Sequence, residues 1–102
     1  MKKILELIIE PNSRKRKEFS QTLSKLAETL QSSCSSLMID ESEDSSTVNM
    51  VVEWDSLDQK YRMFRVESFE ILSGAIAAVC DKVVVRLNGK FIGNDISKLK
   101  TL

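Results

Sequence analysis

The sequence of 102 residues contains no histidine, so it lacks the side chain that most often serves as a base or metal ligand near neutral pH. One proline and three glycines are few, and 42% of the residues are hydrophobic, a composition typical of an ordered globular chain. No apolar run approaches the ~20 residues that a transmembrane helix requires. Basic and acidic residues balance at fifteen each. We therefore expect neither nucleic acid nor a membrane among the partners.

The two cysteines, Cys34 and Cys80, form no C-x-x-C pair, so they do not indicate a metal or redox site. The first residues resemble the start of a signal peptide, but Glu6 and Glu10 interrupt the apolar run and no small-residue cleavage site follows. Without an export signal, we predict a cytoplasmic protein in which both thiols are reduced.

The segment from Val48 to Asp55 is expected to form a central strand. Large apolar residues alternate there with polar ones at period two, which is the pattern of a strand with one apolar face. Ser56 and Gln59 follow with the spacing of a helix capping box, which predicts a helix directly after the strand. The predicted apolar face comprises Val48, Met50, Val52 and Trp54, the only tryptophan.

Other segments have equally regular patterns. Residues 4–10 carry apolar side chains on both faces, which indicates a strand covered from two sides. Further strands are predicted over 37–41, 83–87 and 90–92, the last two joined by a two-residue hairpin turn at Asn88-Gly89. A first helix, capped by Asn12 or Ser13, has an apolar stripe formed by Phe19, Leu23, Leu26, Ala27 and Leu30.

Two helical segments are predicted between the third and fourth strands. The first has Leu57, Tyr61 and Phe64 on its inward face, at spacings of four and three residues. Ser68 is expected to cap the second, in which Gly74 indicates close backbone packing, because a helical glycine costs about 1 kcal/mol relative to alanine.

The element order is therefore β-α-β-β-α-β with a terminal hairpin arm. Short loops and right-handed crossovers fit this order to a ferredoxin-like α+β fold, an antiparallel sheet with the first and third strands central and the helices on one face. We assign residues 1–94 to this single domain and 95–102 to a polar carboxy-terminal tail.

Helices can cover only one face of such a sheet. The other face would expose a large aliphatic patch around several charged residues, which is unusual for a monomer. A second copy packed across a two-fold axis would cover it and form a barrel of two subunits. Buried charges require partners, and Arg86 with Glu53 or Glu6 is the predicted pair. The predicted homodimer interface consists of Ile4, Ile8, Val51, Glu53, Val84, Arg86, Phe91 and Ile92, with Met38 and Asp40 on the same face.

Three segments, VVEWDS, PNSRKRKEF and SFEILSGAI, resemble the antibiotic biosynthesis monooxygenase-like domains of the dimeric α+β barrel group. The resemblance covers residues 4–87, with matches at Glu53-Trp54, at Pro11 and Phe19 of the first helix, and at Phe69. It implies a homodimer with a pocket between sheet and helices in each subunit. It also implies oxidation of quinol or anthrone-type aromatics by dioxygen without a cofactor.

The chain departs from this family where the chemistry would lie. Met63 and Ser68 stand where histidine is common in the family, and Met50 where some oxygenases have asparagine. Because no histidine is present, neither a haem-binding nor a metal site is expected, and we predict no cofactor. The expected ligand-binding residues are Trp54, Met50, Tyr61, Met63 and Phe64.

Cofactor-free oxygenation needs a base and a donor for the resulting oxyanion. Tyr61, the only tyrosine, is the single catalytic candidate, as a hydrogen-bond donor. Each candidate also has a structural interpretation, with Trp54 as a packing anchor, Tyr61 as core filler and the methionines filling the pocket. Two functions stay open: a monooxygenase-like protein that binds a small aromatic molecule, and a non-catalytic structural or regulatory homodimer.

The basic run Arg14–Lys17 at the start of the first helix has two interpretations. It forms either a solvated helix face or an anion contact. No aromatic residue is interleaved with these charges, so the run does not predict a nucleic-acid site.

Overall fold

A five-stranded antiparallel sheet, with its strands in the order β2-β3-β1-β4-β5, forms the framework of the protein. The structure, a computed structural model, describes residues 2–42, 45–65 and 67–96. As predicted, the first and third strands lie inside the sheet. The elements are β1 Lys3–Pro11, α1 Arg16–Gln31, β2 Ser36–Glu41, β3 Val48–Trp54, α2 Leu57–Arg65, α3 Glu67–Val79, β4 Cys80–Leu87 and β5 Lys90–Gly93.

The central strand β1 divides the molecule into two faces. Leu5, Leu7 and Ile9 are fully buried, whereas the residues between them are only partly buried. This alternation follows from the period of two in a strand, because successive side chains point to opposite sides of the sheet. We call the helix-packed side the covered face and the opposite side the open face.

Helix α1 packs on the covered face through the predicted stripe, of which Phe19, Leu23, Leu26 and Leu30 are buried. The predicted cap was wrong. The helix begins at Arg16, and no side chain caps it at Lys15. Asn12 instead accepts the backbone N–H of Arg14 on its Oδ1 at 2.9 Å, so a turn separates β1 from the helix.

The inward stripe predicted for α2 was correct at Phe64 and wrong at Leu57 and Tyr61. Met63 and Phe64 are buried, whereas Leu57 is 52% exposed and Tyr61 48% exposed. Spacing alone assigned Leu57 and Tyr61 to the face of Phe64, but the adjacent pair Met63 and Phe64 determines how this short helix is oriented. Large side chains at its carboxy-terminal end contact the core.

Helix α3 begins at Glu67, so Ser68 lies in its first turn and is not the cap. Phe69, Leu72 and Ile76 are its buried residues, as the sequence pattern indicates. The close packing expected at Gly74 is absent, because a Cβ atom built there meets no described atom within 4 Å.

Strand β4 starts at Cys80, three residues before the predicted start, and the predicted hairpin connects it to β5. Asn88 and Gly89 have φ angles of 51° and 84°, the positive values that a two-residue hairpin of this type requires. After β5, Ile96 is buried in the core. The remainder of the predicted tail, 97–102, lies outside the described residues, so the boundary after residue 94 stays a prediction.

Candidate functional site

The corner between β3 and α2 positions Trp54, the last residue of β3. Ser56 accepts the backbone N–H of Gln59 on its Oγ at 3.2 Å, which is half of the predicted capping box. The side-chain Oε1 of Gln59 returns to the N–H of Asp55 at 2.8 Å, one residue earlier than the usual pattern. It also accepts the hydroxyl of Ser35 at 2.8 Å. These three bonds fix the backbone that directly follows Trp54.

Trp54 is one end of a row of three aromatic rings inside the protein, an aromatic layer formed with Phe64 and Phe69. The ring of Trp54 lies 5.4 Å from that of Phe64 with an interplanar angle of 71°, an edge-to-face contact. Phe64 in turn lies 4.9 Å from Phe69 at 60°. Such tilted ring pairs contribute about 0.5–1.5 kcal/mol each beyond their burial. The rings therefore connect β3, α2 and α3.

The indole nitrogen of Trp54 is the unusual feature of this layer. Trp54 is 1% exposed, and its Nε1–H has no acceptor among the residues that the structure describes. Buried tryptophan N–H groups normally find a partner. An unpaired buried donor costs about 1–3 kcal/mol, so an acceptor that reaches this atom, such as a water molecule or a ligand oxygen, would recover a hydrogen bond.

Four of the five predicted ligand-binding residues are buried in the core, Met50, Trp54, Met63 and Phe64, and of these the rings of Trp54 and Phe64 are in contact. Tyr61 is separate, because it lies on the exposed side of α2. The Nζ of Lys60 lies 5.7 Å from the centre of its ring, and the guanidinium carbon of Arg65 lies 6.0 Å from it. These are cation–π distances, so Tyr61 packs with charged neighbours at the surface.

The described part of the chain has surface depressions on both sides of the sheet, and two of them are large enough to matter for binding. The larger, of about 500 Å³, lies between α3, β4 and residues 94–96, and includes Cys80 and Ile96. The smaller, of about 270 Å³, lies on the open face beside Met38 and Asn49. Neither is lined by Trp54, so the aromatic layer is closed over in this conformation.

The residues predicted to form a dimer interface lie on the open face, and the interface itself stays a prediction. The open face carries Ile4, Ile8, Val51, Glu53, Val84, Arg86 and Phe91, and Ile92 stands at an irregularity of the pairing between β4 and β5. The Nζ of Lys2 contacts the Oε1 of Glu53 at 2.8 Å. This contact, first by its hydrogen bond and then by charge attraction, raises the pKa of Lys2.

Neither cysteine is activated. Burial raises the pKa of the Cys34 thiol. Burial, and secondarily the charge of Asp81, raises the pKa of Cys80 to about 11. Among the described residues, no group of three or more histidine, cysteine or acidic side chains could hold a metal ion. No helix in this part of the chain is both long and apolar enough to cross a membrane.

The hydrogen bonds of Arg16 could not be predicted from the sequence. Arg16, within the basic run, donates to the backbone carbonyl of Ser42 at 2.8 Å and also to that of Ser45. It therefore holds the connection between β2 and β3 against α1. Backbone carbonyls have the same chemistry in every residue, so no residue pattern could have identified these acceptors.

No protein-family model matches the sequence, and no curated protein matches it. Solved structures do resemble it. Rv0793 from Mycobacterium tuberculosis is 12% identical, with a TM-score of 0.77 over 85% of this chain and 92% of that one. A candidate antibiotic biosynthesis monooxygenase from Caulobacter crescentus is 13% identical, with a TM-score of 0.73 over 84% of this chain and 86% of that one.

A conserved protein from Methanosarcina mazei is 17% identical, with a TM-score of 0.74 over 88% of this chain and 93% of that one. At such low identities, the likeness concerns the fold. It extends over the whole β-α-β-β-α-β unit, because most of each chain is covered. The protein therefore has the ferredoxin-like fold of the antibiotic biosynthesis monooxygenase-like domains, as the resemblance of its sequence predicted.

Proposed function

We propose that this protein binds a small aromatic molecule carrying an oxygen acceptor at Trp54, between β3 and α2, and oxidises it with dioxygen without a cofactor. The observation that carries the proposal is the buried Nε1–H of Trp54, which has no acceptor among the described residues. A ligand oxygen at this position recovers the hydrogen bond. Catalytic sites retain such local costs because the donor is used during the reaction.

Access to Trp54 requires α2 to move. This helix contacts the core through two buried side chains, Met63 and Phe64, whereas α1 does so through four. The free energy needed to displace α2 is correspondingly smaller, because less apolar surface becomes exposed. The rings of Phe64 and Phe69 then offer faces and edges against which a planar ligand can stack.

The reaction balances with the substrate as the only source of electrons. An anthrone-type CH₂ group loses a proton to water, and the resulting anion passes one electron to dioxygen. The two radicals combine to form a C–O bond, and loss of water from the peroxide breaks the O–O bond. The CH₂ group and dioxygen thus become a carbonyl group and water. Trp54 donates to the substrate oxygen while that oxygen carries negative charge.

The working unit we propose is a homodimer formed through the open face. The large side chains on this face lack a covering layer within the described part of one chain. Packing two sheets face to face would remove them from water. The depression beside Met38 would then lie inside the assembly.

The test uses the fact that Trp54 is the only tryptophan, so intrinsic fluorescence reports on the site directly. Hydroquinone and anthrone-type ligands should quench it saturably, and oxygen uptake should exceed the background rate. Trp54→Phe keeps a ring and removes the donor, and it should lower the uptake rate about a hundredfold. Gln21→Ala, an exposed change on α1, is the matched control and should behave as wild type.

The competing hypothesis, a non-catalytic dimer whose pocket is filled, makes the opposite prediction. It expects neither quenching nor oxygen uptake with any member of the panel. Quenching without oxygen uptake would support the binding site and contradict the proposed oxidation. An unchanged uptake rate in Trp54→Phe would show that Trp54 has no part in the reaction.

A further inference from the structure

The larger of the two depressions lies along a part of the sheet edge that β5 does not cover. Strand β4 has eight residues, of which β5 pairs only with residues 85–87. The first half of β4 therefore pairs with β1 on one side and, within the described part of the chain, with no strand on the other. Residues 94–96 follow the end of β5 and border the space that is left. We call this space the edge groove.

The inside of the edge groove is apolar. Ile76 on α3, Val83 on β4 and Ile96 after β5 are all buried, and they form its floor together with the thiol of Cys80. The volume of about 500 Å³ is that of a small-molecule site, because such sites measure about 300–1,000 Å³. A ring or a short hydrocarbon chain on this floor would be removed from water, which favours binding.

The rim of the edge groove is acidic. Asp81 and Asp95 border it with a single amine, that of Lys82, so carboxylates are in excess. Lys82 lies opposite Glu10 on β1, which offsets its positive charge. Burial, and after it the charge of Asp81, raises the pKa of Cys80, so this carboxylate lies close enough to the floor to act on it. The groove therefore combines an apolar interior with a negative rim.

An irregularity in the pairing of β1 with β4 places Asp81 on this rim. Pro11 pairs with Cys80 and Glu10 pairs with Lys82, so Asp81 is an extra residue that no residue of β1 faces. Such a β-bulge turns a side chain out of the regular alternation, and bulges are common beside functional sites. Because Asp81 belongs to a strand, its position is fixed more closely than that of a loop residue.

The carboxylate of Asp81 can accept further hydrogen bonds. Asn12 donates to its Oδ1 from Nδ2 at 3.5 Å, which is long for a hydrogen bond. An ionised carboxylate has about four acceptor positions, so this contact leaves room for a ligand. Asp81 is also exposed, so a ligand can reach it without a change in the backbone.

We propose that the edge groove binds a small organic cation, with its ammonium group at Asp81 beside Asp95 and its apolar body on the floor. The site is separate from the one proposed at Trp54, which does not line the groove, and the inference does not depend on it. An ammonium group carries three donors and a full charge, so it suits the acidic rim. A metal ion suits it less, because the described residues include no group of three or more histidine, cysteine or acidic side chains that could hold one.

The first experiment compares three probes of similar shape and different charge: 2-phenylethylammonium, 2-phenylethanol and 3-phenylpropionate. Each is titrated against the Cys34→Ala chain at pH 8, and the labelling of Cys80 by methyl methanethiosulfonate, which does not react with amines, is timed. The cation should slow the labelling saturably, because it covers the thiol on the floor. 3-Phenylpropionate should require a concentration about tenfold higher or more for the same protection. The fluorescence of Trp54 should stay constant throughout.

The second experiment tests Asp81 as the anchor of the ammonium group. Asp81→Asn keeps the size of the side chain and removes its charge, so it should raise the concentration of 2-phenylethylammonium needed for half-protection about tenfold. Half-protection is compared, and not the labelling rate itself, because the substitution also changes the reactivity of Cys80. The effect of 2-phenylethanol should not change. Glu28→Gln, an exposed change on α1, is the matched control and should bind the cation as the parent does.

Every other result contradicts a defined part of the inference. No protection by any probe would contradict the site. Equal protection by the cation and the anion would contradict the preference for ammonium, and an unchanged half-protection concentration in Asp81→Asn would contradict the anchor. Protection accompanied by quenching of Trp54 would place the probe at the aromatic layer instead. Failure of oxygen uptake with anthrone-type substrates would contradict the proposed function and leave this inference standing.

Discussion

The two faces of the sheet are made from the same strands and differ in what they bury. On the covered face, Leu5, Leu7 and Ile9 are removed from water by the helices of their own chain. On the open face, Ile4 and Ile8 come from the same strand and are only partly buried. The helices of one chain thus cover one side of this strand, and the other side would be covered only in the dimer that we propose.

Charge separates the faces more clearly than hydrophobicity does. Ser33 is the one buried polar side chain among the described residues, and no charged side chain is buried. The open face, in contrast, carries Glu6, Glu53 and Arg86 between its aliphatic residues. A permanent core gains little from charges, whereas charges give specificity to a surface that binds a partner. The covered face accounts for the stability of the single chain, and the charges of the open face suit the dimer that we propose.

Adjacent residues of β1 give the largest expected difference between the faces. Leu7→Ala removes a fully buried side chain and should lower the free energy of unfolding by about 2–5 kcal/mol. Ile8→Ala, one residue later on the open face, should cost about 1 kcal/mol in a monomer, because its side chain is partly in water already. Urea unfolding at low protein concentration measures both.

The same pair distinguishes coverage by helices from coverage by a second chain. Raising the protein concentration should increase the cost of Ile8→Ala, since wild type gains stability from association that the variant loses. The cost of Leu7→Ala should stay constant. Equal losses for both variants at every concentration would show that the faces do not differ in this way.

The turn that places Phe91 on the open face provides a smaller test. Gly89 has a φ angle of 84°, which an L side chain rarely adopts. Gly89→Ala should lower the free energy of unfolding by about 1 kcal/mol through backbone strain alone, because no described atom lies within 4 Å of the added Cβ. Thermal unfolding provides the measurement. A neutral result would mean that this turn does not constrain β5.

Gly74 on α3 is the comparison for Gly89, because it is also a glycine with space for a side chain but lies within a helix. It has ordinary helical geometry, and a methyl group there meets no described atom within 4 Å. Gly74→Ala should therefore raise the free energy of unfolding by about 0.5–1 kcal/mol, because alanine restricts the unfolded chain and favours the helix. The same thermal scan reports it. A loss of stability would mean that a neighbour approaches this position after all.

Much of this fold could be predicted because its signals are local. Alternation at period two assigned Leu7 and Ile8 to opposite faces, and Asn88-Gly89 identified the hairpin, since few residues accept positive φ angles. The spacing of Ser56 and Gln59 located the start of α2. Each of these features depends on residues within one turn or one strand of each other.

Features that depend on distant contacts could not be predicted. The predicted orientation of α2 was wrong at Tyr61. Rings on other elements contact Phe64 and determine which side of this short helix is buried. The sequence predicted that Trp54 either stacks on a ligand or serves as a packing anchor. Whether its N–H has an acceptor depends on every atom around it, which the sequence does not show. The same holds for the two carbonyl groups that Arg16 contacts.

Cys80 marks the boundary of the covered face, because it is the first residue of β4 and packs partly against the core. Its reactivity therefore tests where this boundary lies. Burial and the charge of Asp81 raise its pKa from 9.0 to about 11. At pH 8 the reactive thiolate should therefore be about a hundredfold scarcer than in the unfolded chain, and iodoacetamide should label Cys80 correspondingly slowly. Labelling of Cys34→Ala in buffer and in urea measures this ratio.

The same shift predicts how stability changes with pH. The unfolded thiol loses its proton near pH 9, whereas the folded thiol keeps it until about pH 11, so the unfolded state gains relative stability between these values. The free energy of unfolding should thus fall more steeply across this window in Cys34→Ala than in a chain that also carries Cys80→Ala. Parallel curves, or equal labelling rates in buffer and urea, would mean that water reaches Cys80 freely. In that case the covered face would end before the first residue of β4, and the protection given by the helices would be confined to the middle of the sheet.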